Sequence, residues 1–209
     1  MKIPTKDQCY RMLSEMKMMD HIVVHSLQVC RVATFLSEKL NRQQYRLNFD
    51  LIQAAALLHD ITKTRSFKTR EDHALTGGQF LAKLGYPRVG ELVRQHVRLD
   101  EYPKPVVLGE VQIINYADKR VLHDQVVSLD KRLDYILEKY AKTPEHTERI
   151  HWLWGKTREM EVEIFRTLPL SADDLTHLIN PDACAADVLE YRQISKSVSS
   201  RMNITEREG

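Results

Sequence analysis

The stretch Leu51-Ile52-Gln53-Ala54-Ala55-Ala56-Leu57-Leu58-His59-Asp60-Ile61-Thr62-Lys63 constrains this chain more than any other. Its first eight residues are apolar on nearly every side, the pattern of a helix buried all round rather than one lying on a surface. Such a helix delivers into the interior whatever follows it, and here an imidazole and a carboxylate follow side by side, with a lysine close behind. A carboxylate carried inward is costly unless a cation or a set of hydrogen-bond donors receives it. A helix that simply ends in polar residues shows the same local pattern, so the decision rests on where the other polar residues fall.

They fall inside apolar stripes. Ile22, His25, Ser26, Val29, Val32, Ala33, Leu36 and Leu40 follow helical spacing from about His21 to Leu40, with His25 inside the stripe. After the basic loop of Arg65, Lys68 and Arg70, Asp72 is placed to cap a helix on which His73, Gly77, Phe80 and Leu84 share a face. Two adjacent glycines in a helix are unfavourable by about 1 kcal/mol each relative to Ala, so Gly77-Gly78 points to close helix packing. Gly85-Tyr86-Pro87 ends that helix and opens another, whose stripe of Val89, Leu92 and Val93 continues in His96. Past the non-helical Tyr102-Pro103-Lys104-Pro105, a stripe of Val111, Ile114, Asn115, Val121 and Leu122 is interrupted at its centre by Asp118. An ionised carboxylate in mid-stripe needs a partner.

The remainder stays helical. Leu133, Ile136, Leu137 and Tyr140 support one helix, and Ile150, Leu153, Trp154, Ile164 and Leu168 a long one after Pro144. Trp152 and Trp154 read as packing residues, an exposed one suggesting a subunit contact. Ser171-Ala172-Asp173-Asp174 reads as a capping-box variant, followed by a helix that Pro181 stops. No β pattern is evident. The expected fold is all-α, with a helical core over residues 1–125, C-terminal helices packed on it over 126–180, and a charged, frayed helical tail over 181–209.

Composition narrows the class. A chain of 209 residues can bury a sizeable core, and its 29% charged and 43% hydrophobic content is ordinary for a soluble globular protein. The net charge of +2 gives no reason to expect a nucleic-acid duplex as partner. Cys9, Cys30 and Cys184 lack any C-x-x-C pairing, which suits a reducing cytoplasm and excludes a cysteine zinc cage. With no bilayer-length apolar run and no apolar signal core at Met1–Lys6, no membrane partner is expected.

One shared reason accounts for histidines and aspartates that replace apolar residues on separate helices: the stripes meet around metal. Four histidines and two carboxylates exceed one tetrahedral ion's need. The count fits two ions about 3.5–4 Å apart with Asp60 between them. Imidazole with carboxylate suits Fe, Mn, Co or Zn.

The series His25, His59-Asp60 and Asp118 resembles the HD-domain metal-dependent phosphohydrolase superfamily over roughly residues 20–125. Leu57-Leu58-His59-Asp60-Ile61-Thr62-Lys63 is similar to the signature of its His-Asp-Ile-Gly-Lys subgroup, with Thr62 in place of the glycine. His73 and His96 resemble the additional ligands of two-metal members. Gly85-Tyr86-Pro87 precedes His96, so the cyclic-di-GMP enzymes' signature is missing at its place and that substrate is not expected. The resemblance implies an all-α bundle around a central metal site. His25, His59, Asp60 and Asp118 would hold one divalent ion, and His73, His96 and Asp60 the second. It implies a phosphohydrolase that cleaves a phosphate ester or anhydride of a nucleotide or related small molecule through a metal-activated hydroxide. Asp60 and Lys63 are the expected catalytic pair. Lys63, Arg65, Arg94, Arg98, Lys119 and Arg120 are the expected substrate cations, and a homo-oligomer is compatible with all of this. Two other readings share the ligand set: a metal-holding regulatory module without turnover, and a di-iron oxygenase.

Overall fold

Most of the stripes read from the sequence become helices in the computed structural model, which describes residues 1–179 and 182–208, the side chains of 182, 183 and 201–208 excepted. Pro181 lies outside the described residues. Helix α1 (Lys6–Glu15) opens on Thr5, which accepts from the Gln8 amide while the Gln8 side chain returns to the Thr5 amide. The long α2 (Asp20–Asn41) and the all-round apolar α3 (Phe49–Leu58) form the centre, α3 packing on α2 and α1. Every residue of α3 from Leu51 to Leu58 except Gln53 is buried, as a helix without a polar face requires. After a short turn come α4 (Lys63–Thr69), α5 (His73–Lys83), α6 (Pro87–Arg94) and α7 (Glu110–Lys119).

Helices α5 and α6 approach so closely that glycine is obligatory where they touch. A Cβ on Gly78 would lie 2.6 Å from the Gly90 carbonyl oxygen and 2.9 Å from Arg94 Cβ. Between the two helices Gly85 takes φ 87°, a conformation open to glycine at no steric cost, and Pro87 starts α6. This contact sets the relative placement of His73, at the start of α5, and His96, just beyond α6.

The chain departs from the sequence reading after α7. The stripe through Val121 and Leu122 continues as β1 (Val121–Leu122), paired antiparallel with β2 (Gln125–Val126), where no β structure was expected. The reason is Arg120: its side chain is 1% exposed and its Nε donates to the Val127 carbonyl at 2.7 Å, drawing the returning segment back over the end of α7. His123, at φ 57°, makes the turn.

Helix α8 (Leu129–Tyr140) and α9 (Pro144–Phe165) then pack on each other, with Trp154 Nε1 donating to the Leu129 carbonyl at 2.9 Å. Trp154 is buried, whereas Trp152 is half exposed with its ring edge-on to Tyr102. Asp174 accepts from the amide and hydroxyl of Ser171, but this is half of the expected box: no side chain caps α10 (Leu175–Leu178), which is a single turn. Helix α11 (Asp182–Glu208) is better anchored than a frayed tail. Lys6 donates to Asp187 at 2.8 Å and to Glu190 at 2.6 Å, and Cys184, Tyr191 and Val198 are buried. Among the described residues no helix is long and apolar enough to cross a membrane.

Replacing Gly78 by Ala forces a backbone shift between α5 and α6, an overpacking cost of about 1–3 kcal/mol. Gly78→Ala is therefore expected to lower the urea midpoint without changing the slope of the unfolding curve.

Candidate metal centre

The turn after α3 places His59 and Asp60 in the interior, fully buried, among side chains from α2, α5, α7 and the end of α6. Asp60 faces two ways. Its Oδ2 lies 3.4 Å from His59 Nε2 and 2.7 Å from Lys63 Nζ. Its Oδ1 lies 3.2 Å from His73 Nε2 and 3.5 Å from His96 Nε2. On the other side of His59, Asp118 Oδ1 is 3.1 Å from His25 Nε2 and 3.8 Å from His59 Nε2. The imidazoles form a row, with ring centroids 5.3 Å apart from His25 to His59, 4.9 Å from His59 to His96, and 5.1 Å from His96 to His73. All six residues named from the sequence as ligand candidates are thus brought together.

The orientation of three of these rings is set by the backbone. His59 Nδ1 donates to the Ala56 carbonyl at 2.8 Å, His96 Nδ1 to the Val93 carbonyl at 2.7 Å, and His25 Nδ1 to the His123 carbonyl at 3.0 Å. A proton on Nδ1 leaves Nε2 as a lone pair, so each ring presents an acceptor to the interior. These acceptors face carboxylate oxygens and one another, His73 Nε2 standing 3.2 Å from His96 Nε2. His59 Nε2 and Asp60 Oδ1 are buried without a hydrogen-bond partner. Buried acceptors facing acceptors are unfavourable unless a cation joins them, and the donor set fits divalent metal. The atoms of His25, His59 and Asp118, and those of His59, Asp60 and His96, lie close enough to share an ion.

Protonation states agree with that chemistry. Burial would raise Asp60, but His59 and Lys63 beside it hold it well below the usual carboxylate range. Burial acts likewise on Asp118, and His25 and His59 beside it hold it low. Burial lowers His25 despite Asp118, and brings His96 down to about 4. Burial pulls His59 down as well, yet Asp60 and Asp118 outweigh it and leave its pKa raised. Ionised carboxylates and the neutral His25 and His96 are the forms that ligate, and His59, whose proton the two carboxylates favour, would release it to a bound cation.

Residues that the sequence reading missed as site elements hold this arrangement. Thr62, standing where the resemblance has glycine, donates to the His73 carbonyl at 2.8 Å and lies 3.0 Å from the Thr76 hydroxyl. It ties the Asp60 turn to the start of α5, and its φ of −108° needs no glycine. Asn115 Nδ2 donates at 3.0 Å to the carbonyls of both Gln95 and His96. These ties run to backbone carbonyls, which sequence spacing does not locate.

The expected substrate cations separate into different environments. Lys63 reaches Asp60 and stays 27% exposed. Lys119 is buried and clamps the end of α6 instead, donating to Asn115 Oδ1 at 2.7 Å and to the carbonyls of Val97 and His96 at 3.2 and 3.4 Å. Burial lowers its pKa to about 8. Arg120 is likewise corrected from a substrate cation to a structural one: it bonds Glu161 and Tyr116 at 3.0 and 2.6 Å and the Ala172 carbonyl at 2.9 Å. Arg65 pairs with Glu71 at 2.6 Å and Arg94 with Asp100, both at the surface. Arg98 is exposed.

Residues 22–122 match the family model of the HD domain. Among curated proteins, the chain is similar to ribonuclease Y of Fusobacterium nucleatum, 21% identical over 187 residues that make up 87% of this chain and 32% of the relative. It is similar to the tRNA (cytidine(56)-2'-O)-methyltransferase of Picrophilus torridus, 26% identical over 188 residues, 83% of this chain and 50% of the relative. The chain thus spans between a third and a half of the length of these relatives. Among solved structures, a predicted HD superfamily hydrolase from an uncultured Thermotogales bacterium is similar with a TM-score of 0.42 at 22% identity, over 79% of this chain and 91% of that one.

Loss of a group that orients a metal-binding histidine typically weakens metal affinity by about 10–100-fold. Thr62→Val is expected to weaken metal binding by about that factor in chelator competition, with helical content unchanged by circular dichroism.

Proposed function

The chain carries an HD domain over residues 22–122, and we propose that it is a two-metal phosphohydrolase acting on a phosphate ester or anhydride of a nucleotide or related small molecule. The observation that carries this reading is Asp60, whose two oxygens face two separate imidazole sets with Oδ1 left without a hydrogen bond. On this reading His25, His59, Asp60 and Asp118 would hold one ion, and His73, His96 and Asp60 would hold the other. Fe, Mn, Co and Zn all suit such ligands. When bound, the ions supply Lewis acidity, which makes water nucleophilic near neutral pH and offsets charge on the phosphoryl oxygens.

The chain's own groups orient and stabilise. Asp60, kept ionised by its neighbours, fixes the position of everything bound between the two imidazole sets. Lys63, its ammonium 2.7 Å from Asp60 Oδ2 and partly open to solvent, is within reach of a phosphoryl oxygen held beside that carboxylate. A preorganised cation there stabilises charge that develops in the transition state. Cleavage at phosphorus is also in keeping with one relative being a ribonuclease.

The test is metal analysis of the purified protein, followed by a phosphate-release screen over nucleoside mono-, di- and polyphosphates. His59→Ala and Asp60→Ala are expected to lose metal and activity together. Lys63→Ala is expected to keep its metal and lose about 100-fold in kcat. Phosphate release by metal-free Asp60→Ala protein overturns the assignment.

A further inference from the structure

Helix α8 lies outside the segment that matches the HD domain, yet one of its faces is linked to the candidate centre through the hairpin turn. The link starts at His25, whose Nδ1 donates to the His123 carbonyl in the hairpin turn. The His123 ring stands edge-on to Tyr135 of α8, centroids 5.5 Å apart. Two cations lie over that same tyrosine: the Arg132 guanidinium 5.5 Å from its centroid, and Lys139 Nζ at 5.3 Å, which also donates to its hydroxyl at 3.0 Å. Positions 132, 135 and 139 fall at i, i+3 and i+7 and form one strip of the helix. Leu129 and Leu133 are buried, and α8 packs on α9 through Leu129.

Arg132 is the anomaly in this strip. It is half-buried, its Nε is buried without a hydrogen-bond partner, and it enters no ion pair among the described residues. The other arginines considered near the centre are engaged, Arg65 with Glu71, Arg94 with Asp100, and Arg120 with Glu161. A guanidinium kept partly out of water with donors unused is costly unless an anion meets it. Its planar fork matches phosphate oxygens.

We infer that Arg132 is the phosphate-binding guanidinium of this centre, with Tyr135 as the residue that positions it. The inference rests on the phosphohydrolase reading and deepens it: the C-terminal helices supply a cation to the substrate in addition to Lys63. The substrate class it implies is a phosphate compound with an oxygen pair left for a planar donor once the metal ligands are satisfied.

The experiment is calorimetric titration of the metal-loaded protein with inorganic phosphate, joined to steady-state kinetics on the best substrate of the nucleotide screen. Arg132→Ala is expected to weaken phosphate binding by roughly tenfold to a hundredfold and to raise KM more than it lowers kcat, with metal content and melting temperature unchanged. Arg132→Lys recovers part of that loss, and Tyr135→Leu, which removes the ring beneath the guanidinium, shows a smaller loss of the same kind. Undiminished phosphate affinity in Arg132→Ala overturns the inference alone, as does a loss of metal with normal phosphate affinity in the molecules that stay loaded. If Arg132→Ala melts early, Arg132→Gln takes its place and must show the same loss. A metal-loaded wild type that neither binds phosphate nor releases it from any ester overturns the functional reading, and this inference with it.

Discussion

A carboxylate 1% exposed, with one oxygen lacking a hydrogen bond and two imidazole sets aimed at it, is the condition on which the rest of this structure turns. An isolated ion in that position would be prohibitive in the interior. Asp60 is tolerated because α3 carries it to a place where Lys63 and the adjacent His59 meet one oxygen and His73 and His96, from two other segments, meet the second. The arrangement still leaves more acceptors than donors, and that imbalance, rather than any single distance, is what argues for cations of two positive charges.

Convergence alone would not make a binding site; the rings must be held in one orientation. Three carbonyls do this, those of Ala56, Val93 and His123, each taking the Nδ1 proton of one histidine. Two of them are local, three residues before the histidine they hold. The third comes from the hairpin turn nearly a hundred residues beyond His25, so the orientation of that ring depends on how the chain turns after α7. Arg120 governs that turn, linking the end of α7 to the Val127 carbonyl, to Glu161 of α9 and to the Ala172 carbonyl. The C-terminal helices therefore take part in shaping the centre and do more than cover the core.

Much of this was legible beforehand. His25, His73, His96 and Asp118 each replace an apolar residue within a helical stripe, and a stripe records which face turns inward. Capping by Asp72 and the close packing around Gly77-Gly78 were legible for the same reason, since each is written in a few neighbouring residues. The cations were read less well. Lys63, Lys119, Arg120 and Arg132 look alike along the chain, and their fates differ because long flexible side chains meet partners from distant segments. Lys119 clamps α6, Arg120 joins α9, and Arg132 stands without an ion pair among the described residues, differences that no local spacing encodes. Thr62 looked like a departure from a glycine pattern until its hydroxyl was found on the His73 carbonyl.

By itself, then, the order of residues determined the helices that carry an apolar stripe, their inward faces and the set of polar side chains that those faces carry inside, because periodicity and burial are properties of contiguous segments; α4, read as a basic loop, buries no residue and so left no stripe. Tertiary structure decided which carbonyl orients each imidazole, how Asp60 divides its two oxygens, which lysines and arginines are engaged, and that a hairpin follows α7. Those outcomes depend on contacts between segments far apart in the chain, whose relative placement is set by packing at sites such as Gly78 against Gly90 and not by the pattern of either segment alone.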